Sequence, residues 1–367
     1  MVAGERHPSL TSVSKYCSAF LPCPSPGRDP QGFVAAIAKL ASEHNVNVVM
    51  PMTEITTLLL TTHQDQLPPS AALPFPSAKA VADAADKSRV LALAQSLGVP
   101  IPRTVVCASV EEARARVSEI GFPVVIKATR SRVWTGTKWL STTVRYAPDA
   151  ETFTAHLEAI PPQVYPILLQ ERIEGPGVGV FICCDEQGLI ATFAHRRIRE
   201  KPPSGGVSVL CESTKADPVA VEHAHKLLRA LDWRGVAMVE FKRDMRDGTL
   251  RLMEINGRFW GSLQLAIDAG VDFPSLLIEM SQGRRSLPPK YEEGVRTRWL
   301  LGDLDSLIGV LFKSRARLNL PPSHPGRLRS LASFLNFWNG RTRLELERRD
   351  DMGPAVLQAK RWLRGQT

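Results

Sequence analysis

The chain has 367 residues, of which 44% are hydrophobic and 23% charged, so its composition is that of a folded globular protein and excludes a disordered one. The length predicts two or three domains. The N-terminus lacks an apolar signal core and no apolar run is long enough to cross a bilayer, which predicts a cytoplasmic protein without a transmembrane segment. Six cysteines without a CxxC pair or a zinc-type spacing predict free thiols.

The positive charge is concentrated at the C-terminus. Residues 281–367 contain 17 Lys and Arg against 8 Asp and Glu, whereas the rest of the chain is balanced. Such a basic segment is suited to contact with an acidic partner, an anionic membrane surface or nucleic acid. It has no motif for specific nucleic-acid binding, and a solvated helical surface is the interpretation that we favour. The sequence gives no indication of the oligomeric state.

The first predicted elements alternate between helix and strand. Apolar periodicity predicts a helix over 31–43 and a short strand over 46–50, and a helix that Thr53 caps follows. A strand followed by a helix at this spacing is typical of a small domain built on parallel strands. An Ala-rich helix is predicted over 77–97, and it contains Lys87.

The middle of the chain is predicted to be rich in strands, which indicates an α+β body around an antiparallel sheet. The predicted strands cover 102–107, 124–127, 167–173, 178–184, 189–195, 206–211, 236–242 and 250–256. The predicted helices cover 109–120, 149–160, 217–231 and 262–281, with a further helix from about 299.

Two of these strands end in residues that are suited to a phosphorylated heterocycle. Lys127 ends an apolar strand after a Gly-Phe-Pro turn, where an ammonium group can contact a phosphate. The strand that ends in Gln170 and Glu171 continues through Arg172, Ile173 and Glu174 into a Gly-Pro turn, which can offer backbone groups to a flat ring. An ordinary surface lysine and an ordinary turn are the alternatives.

A basic segment with Pro-Pro and Gly-Gly bends extends over 195–206 and is predicted to be a loop. Cationic loops bind anionic substrates or phosphates. The alternative is an exposed basic loop without such a role. The candidate substrate contacts are His195, Arg197, Arg199, Ser204, Gly205 and Gly206.

Two carboxylates and an amide close to each other carry the clearest chemical signal. Glu240 and Glu254 lie in apolar runs on either side of Asp247-Gly248, a strong hairpin turn signal. Glu254 and Asn256 are two residues apart and share a strand face, and Arg258 follows at the next position on that face. These hard oxygen ligands suit magnesium carried by the phosphates of a nucleotide.

In this order, these pieces resemble the ATP-grasp superfamily, most closely its carboxylate–amine ligase and carbamoyl-phosphate-synthase-like branch. The resemblance covers roughly residues 30–280, and the Glu-Ile-Asn-Gly-Arg segment at 254–258 is its most specific part. It implies an α/β (α+β) ATP-grasp fold. The implied units are a short parallel-sheet domain over 1–76 whose start looks truncated, an ATP-grasp domain over 77–280 and a basic, mainly helical extension over 281–367. Within 77–280, a small lid subdomain is implied at about 104–175 and a metal-binding subdomain at about 176–280.

The resemblance also implies roles for individual residues, with ATP and Mg²⁺ as cofactors and Mn²⁺ as the alternative ion. Lys87 and Lys127 would contact the nucleotide phosphates, and Arg258 would steady the transferring phosphoryl group or an acyl phosphate. The implied nucleotide contacts also include Gln170, Glu171, Ile173 and Glu174, with the backbone of Glu171 and Ile173 at the adenine edge. The implied metal ligands are Glu240, Glu254 and Asn256, with Glu254 bridging two ions.

The function implied is an ATP-dependent ligase that forms carbon–nitrogen bonds. A substrate carboxylate would be activated as an acyl phosphate and then transferred to an amine, with release of ADP and phosphate. Its partners would be these two small-molecule substrates. An ATP-binding regulatory or scaffold module without ligation is the alternative. The sequence identifies neither the carboxylate nor the amine.

Overall fold

The computed structural model describes all residues except 204–205, 316, 319, 321–323, 337–339 and 367. The helices are α1 (Pro30–Glu43), α2 (Glu54–Thr62), α3 (Ala78–Ala85), α4 (Lys87–Ser96), α5 (Val110–Arg116), α6 (Ala150–Glu158), α7 (Pro218–Ala230), α8 (Leu263–Ala269), α9 (Phe273–Ser281), α10 (Leu300–Phe312), α11 (Arg327–Leu335) and α12 (Gly353–Leu363). Within the described ranges, no helix has the length and apolar character that a membrane span requires.

The strands form two main sheets and two small ones. They are β1 (Val2–Gly4), β2 (Phe20–Pro22), β3 (Thr104–Cys107), β4 (Val124–Ala128), β5 (Arg132–Trp134), β6 (Trp139–Ser141), β7 (Arg145–Ala147), β8 (Ile167–Glu171), β9 (Gly177–Asp185), β10 (Gly188–Lys201), β11 (Val207–Ser213), β12 (Gly235–Arg243), β13 (Leu250–Asn256), β14 (Arg296–Arg298) and β15 (Thr342–Leu344).

The larger sheet has the strand order β13-β12-β9-β10-β11-β14-β15. Its strands are antiparallel to their neighbours, except that β15 is parallel to β14. This confirms the predicted α+β body around an antiparallel sheet. Both β14 and β15 come from the basic C-terminal segment, which therefore contributes strands to the sheet as well as helices.

Both faces of the larger sheet are covered by helices. Phe181 and Cys183 of β9 pack into a core with α1, α2, α8 and α9. The alternate residues Ile182 and Cys184 pack on the other face, with α3, α4 and α7. Because successive side chains of a strand point to opposite faces, the adjacent cysteines belong to different cores. All six cysteines are free thiols in the structure.

The smaller main sheet has the order β3-β8-β4-β7 and is antiparallel throughout. Its core contains side chains of α5 and α6, which cover one face. The chain leaves β4, forms the β5–β6 hairpin and returns to the sheet as β7. The core of the smaller sheet is therefore separate from the two cores of the larger sheet.

The N-terminal region contains parallel strands, β1 and β2. The predicted strand over 46–50 is wrong, because only a single parallel bridge joins Val48 to Ala72. The predicted cap is present: the Thr53 hydroxyl accepts a hydrogen bond from the backbone N–H of Thr56 at the start of α2. The predicted helix over 77–97 is divided into α3 and α4 by Asp86, whose carboxylate caps α4.

The predicted loop over 195–206 is wrong for residues 195–201, because β10 continues as a strand to Lys201, and the bends come only after it, at Pro202 and Pro203. Carboxylates on neighbouring elements neutralise the arginines along it: Glu212 pairs with Arg196, and Asp303 pairs with Arg199. Asp303 lies 104 residues from Arg199 in the sequence, so the pattern of residues 195–206 by itself resembles an exposed basic loop. Ser204 and Gly205 lie outside the described residues.

Candidate functional site

The two candidate carboxylates face each other on the β12–β13 hairpin. Glu240 is the direct cross-strand partner of Glu254, and Met238 is the partner of Asn256. The hairpin turns through Gly248, which has a φ of 74° and donates its N–H to the carbonyl of Asp244 at 2.7 Å. The predicted pairing of these strands is therefore confirmed, and it concentrates negative charge at one place on the sheet.

Glu254 is held in its ionised form by its neighbours. Its Oε2 lies 3.3 Å from the Lys87 ammonium, and its Oε1 accepts a hydrogen bond of 3.2 Å from the Asn256 amide. Burial raises the pKa of Glu254, but Lys87, Asn256 and Lys127 together outweigh burial and hold the pKa below its ordinary value. This carboxylate is therefore available as an anionic ligand at neutral pH.

Glu240 has the opposite electrostatic balance. Burial, and then the charge of Glu254, raise its pKa above the ordinary value, although Arg197 opposes them. The Arg197 guanidinium lies 3.3 Å from Glu240 Oε1 and 3.2 Å from Glu200 Oε1. Two facing carboxylates with one raised pKa form a site that gains stability when a further cation lies between them.

Lys87 connects this hairpin to the segment that follows β4. It is the first residue of α4, it is only 9% exposed, and its backbone N–H donates to the Thr129 carbonyl at 2.8 Å. Its ammonium donates to the Ser131 hydroxyl at 3.0 Å. The interruption of the helix at Asp86 thus places a buried lysine between Glu254 and the start of the β5–β6 hairpin.

Lys127 and Gln170 lie on adjacent strands of the smaller sheet and contact each other. The Lys127 ammonium donates to Gln170 Oε1 at 2.8 Å, and the Gln170 amide donates to the Thr104 hydroxyl at 2.9 Å. Gln170 is 2% exposed, so its amide holds the lysine in one position. Burial lowers the pKa of Lys127 to about 8, which brings its titration close to physiological pH.

The candidate adenine-binding segment, residues 171–174 at the end of β8, is held by hydrogen bonds on both sides. The Glu171 N–H donates to the Arg103 carbonyl at 2.9 Å, and the Ile173 carbonyl accepts from the Lys242 ammonium at 3.2 Å. The Glu171 carboxylate pairs with Arg103 and Arg246, whereas Glu174 is exposed. Part of the backbone hydrogen-bonding capacity of Glu171 and Ile173 is thus used within the protein.

Arg258 extends the polar face of β13. Its guanidinium donates to the Phe259 carbonyl at 2.8 Å and lies 3.5 Å from Asn256 Oδ1. The intervening Gly257 lies against the Trp233 ring, which a Cβ on this residue would approach to 2.3 Å. A glycine at this position therefore lets β13 pack closely on Trp233 while Asn256 and Arg258 line the same cleft.

Glu54 lines this cleft, although no motif in the sequence marks it as a site residue. It is the first residue of α2 and borders the cleft together with Lys87, Ser131, Asn256 and Arg258. Burial raises its pKa, although the charges of Lys87 and Arg258 oppose this shift. Its position directly after the Thr53 cap was visible in the sequence, but the fold alone brings α2 to the hairpin.

The residues predicted at 195–206 that the structure describes are not gathered in one place. His195 is buried, stacks on Phe181 and shares a hydrogen bond of 2.7 Å with the Ser262 hydroxyl, so it is part of the core. Arg199 contacts Asp303 on α10. Gly206 is exposed just before β11. Arg197 is the residue of this group that contacts a member of the carboxylate pair, Glu240.

The donor set fits a metal ion that brings its own ligands. Among the described residues, no cluster of three or more His, Cys, Asp or Glu could hold a metal by itself. Two carboxylates and one amide oxygen supply only part of a coordination shell, and magnesium normally completes its shell with phosphate oxygens and water. The hairpin therefore fits magnesium that arrives with a phosphate ligand.

Comparison with known proteins supports the ATP-grasp fold that the sequence predicts. Residues 163–302 match the model of a family described as ATP-grasp in the biosynthetic pathway with Ter operon. The match contains all of the predicted site residues except Lys87 and Lys127.

Three solved structures of similar fold are each less than a fifth identical to this chain. N5-carboxyaminoimidazole synthetase from Staphylococcus aureus is 13% identical, with a TM-score of 0.64 over 85% of this chain and 78% of that one. A complex of biotin carboxylase from Campylobacter jejuni with β-γ-ATP is 18% identical, with a TM-score of 0.61 over 80% and 67%. L-amino acid ligase from Bacillus licheniformis is 16% identical, with a TM-score of 0.56 over 75% of this chain and only 64% of that one.

Proposed function

Because this chain has the ATP-grasp fold, as its sequence predicts, we propose that it is an ATP-dependent ligase with its reaction centre at the β12–β13 hairpin. A carboxylate oxygen of one substrate attacks the terminal phosphorus of ATP, which forms an acyl phosphate and releases ADP. The lone pair of a neutral amine nitrogen then attacks the acyl carbon, the bond from this carbon to the phosphate oxygen breaks, and the proton that the nitrogen loses passes to the released phosphate or to water. The observation that carries this proposal is the facing pair Glu240 and Glu254 beside the buried Lys87.

The cations around the hairpin would bind and orient the anionic groups. Lys87 and Lys127 would contact the phosphates, and Arg258 would hold the transferring group on the polar face of β13. Phosphoryl transfer depends chiefly on positioning and charge neutralisation, and it requires no nucleophilic side chain. Gln170 supports this role because it holds the Lys127 ammonium at 2.8 Å.

Magnesium would be held by Glu240, Glu254 and the Asn256 amide oxygen. When bound, it neutralises negative charge on the phosphate oxygens. The lowered pKa of Glu254 and the raised pKa of Glu240 support this assignment, because a divalent cation would relieve the repulsion between the two groups. The segment at the end of β8 that contains Glu171, Ile173 and Glu174 is the proposed site of the adenine and ribose.

The test is ADP and phosphate release by the purified full chain with magnesium-ATP and pooled carboxylates and amines. We expect release that requires both pools, and we expect Glu254→Gln to slow it about 10²–10³-fold, the effect of removing one preorganised charged group. Glu186→Gln is the matched control, since Glu186 is 70% exposed and pairs with Arg234. It should leave release unchanged.

Two outcomes would contradict the proposal. Release at the wild-type rate in Glu254→Gln would remove the hairpin from the reaction. If the protein binds ADP but releases no ADP or phosphate from ATP with any combination of the carboxylate and amine pools, the alternative is favoured. That alternative is an ATP-binding regulatory or scaffold module without ligation. The basic C-terminal segment would then be a candidate contact surface for an anionic partner.

A further inference from the structure

A cavity lies between the end of β10 and the C-terminal helices α10 and α11, outside the cleft at the hairpin. Its volume is about 190 Å³. A cavity of roughly 150 Å³ can hold a benzene molecule, so this one has room for a small organic ligand. Its apolar lining includes Ile198, Leu307, Val310 and Phe334.

Two polar groups on the cavity wall have hydrogen-bonding capacity to spare. The Ser330 hydroxyl is buried and has no hydrogen-bond partner among the described residues, and Ser330 itself is only 8% exposed. A buried hydroxyl without a partner is unusual and indicates a missing one. Arg197 contacts Oε1 of Glu200 at 3.2 Å, which leaves the second oxygen of this carboxylate for a ligand.

The arginines on the wall, in contrast, are already engaged. Arg199 forms two hydrogen bonds to the Asp303 carboxylate, of 2.7 and 2.6 Å, and donates to the Ser333 hydroxyl at 2.8 Å. Arg197 bridges Glu200 and Glu240. A ligand therefore meets an accepting carboxylate and a hydroxyl, and a cationic group is favoured over an anionic one.

One side chain, Arg197, links the cavity wall to the proposed reaction centre. Arg197 contacts Glu200 at the cavity and Glu240 at the hairpin, with distances of 3.2 and 3.3 Å. The Ser306 hydroxyl fixes the backbone of Glu200 by donating to its carbonyl at 2.8 Å. A group bound at Glu200 is thus separated from Glu240 by one side chain.

We propose that this cavity binds the amine substrate, a small primary amine with an apolar body, with its ammonium group on Glu200 and Ser330. The proposal rests on the proposed ligase function for the role of the amine, but binding itself requires no nucleotide. It also assigns a role to the C-terminal segment, whose helices form one wall and would select the amine.

The test is calorimetric titration of the full chain with benzylamine, with benzoate and benzyl alcohol as comparisons of similar size. We expect benzylamine to bind with a Kd of about 1 mM without ATP, and to bind at least about tenfold more tightly than either comparison. Equal or tighter binding of benzoate, or no binding of benzylamine up to about 10 mM, would overturn the proposal.

Three variants locate the binding site. Glu200→Gln should weaken benzylamine binding about tenfold or more, because it removes a charged acceptor but retains the oxygen that Arg197 contacts. Ser330→Leu and Val310→Phe should weaken benzylamine binding by a similar factor, because the larger side chains fill the cavity. Two such variants are used so that the test still holds if one of them does not fold. Ser96→Leu, on the exposed face of α4, and Glu186→Gln are the matched controls. Unchanged affinity in folded Glu200→Gln and Val310→Phe would refute the site.

The outcomes separate this inference from the ligase proposal. Benzylamine binding that depends on Glu200, in a protein that releases no ADP, would support the cavity and contradict the ligase. If release of ADP depends on Glu254 but the protein does not bind benzylamine, the ligase proposal is supported and the cavity assignment is overturned.

Discussion

The β12–β13 hairpin and the contact between β10 and α10 both pair carboxylates with cations, but they do so in different ways. At the hairpin, Glu254 and Glu240 are 33% and 26% exposed and each has one cation contact of 3.3 Å. At α10, the Asp303 carboxylate is 1% exposed and is shared by Arg199 and Arg298 at 2.6 and 2.7 Å. Loose single contacts can be exchanged for a ligand, whereas a buried carboxylate that two cations share cannot be removed without destabilising the fold.

The largest effect on stability should come from Asp303. We expect Asp303→Ala to reduce the free energy of unfolding by about 3–5 kcal/mol, because the buried Arg298 and the half-buried Arg199 would both lose their contact with this carboxylate. Urea denaturation of the ligand-free protein measures this change. For comparison, Glu254→Gln should change stability by less than about 1 kcal/mol, since its contact is partly exposed.

If both variants lost stability equally, the distinction between a structural pair and an exchangeable pair would fail. Glu158→Ala serves as a baseline, because Glu158 is 66% exposed in its pair with Arg114. It should cost no more than about 0.5 kcal/mol.

A pH dependence of intermediate size is expected from Lys127. Its pKa of about 8 means that it is protonated below pH 8 and loses its charge as the pH rises through this value. ADP affinity should therefore fall by up to about tenfold per pH unit above pH 8, as linkage of one proton requires. Calorimetry between pH 7 and 9 measures this slope, and Lys127→Met should bind weakly with no such slope.

The same shift has the opposite consequence for the ligand-free protein. Between about pH 8 and the ordinary value of 10.5, the unfolded chain holds the Lys127 proton more tightly than the folded one. The contribution of Lys127 to stability therefore rises with pH across this window. An identical slope of ADP affinity in Lys127→Met would assign the titration to another group.

The smallest effect is expected at Glu54. Burial raises the pKa of this carboxyl, so its ionisation at neutral pH costs folding energy that an amide would avoid. We expect Glu54→Gln to raise the free energy of unfolding by up to about 1 kcal/mol, as substitutions that remove an unfavourable group from a functional site often do. A loss of stability on thermal unfolding would show that Lys87 and Arg258 depend on this charge.

The sequence predicts the hairpin well because its determinants are local. Asp247-Gly248 specifies the turn, and alternation then brings Glu254 and Asn256 to the same face of β13. The strand over 46–50 was wrong because apolar composition alone does not supply a pairing partner, and the structure provides only the Val48–Ala72 bridge.

Long-range charge pairing could not be predicted. Arg199 and Asp303 are 104 residues apart, and their contact turns an apparently exposed basic loop into a strand that packs on α10. Lys87 contacts Glu254 only because the sheet and α4 fold together. Lys87 could be predicted as a site residue only through the resemblance to the ATP-grasp superfamily. Glu54 lies in no motif of that kind and could not be predicted.

The most direct test of the hairpin as a nucleotide-linked metal site is the effect of magnesium on ADP binding, measured by calorimetry. We expect magnesium to tighten ADP binding to the wild-type protein by about tenfold or more, and we expect this gain to disappear when both Glu240→Gln and Glu254→Gln are present. An equal gain in the double variant, or no magnesium dependence in the wild-type protein, would contradict the account.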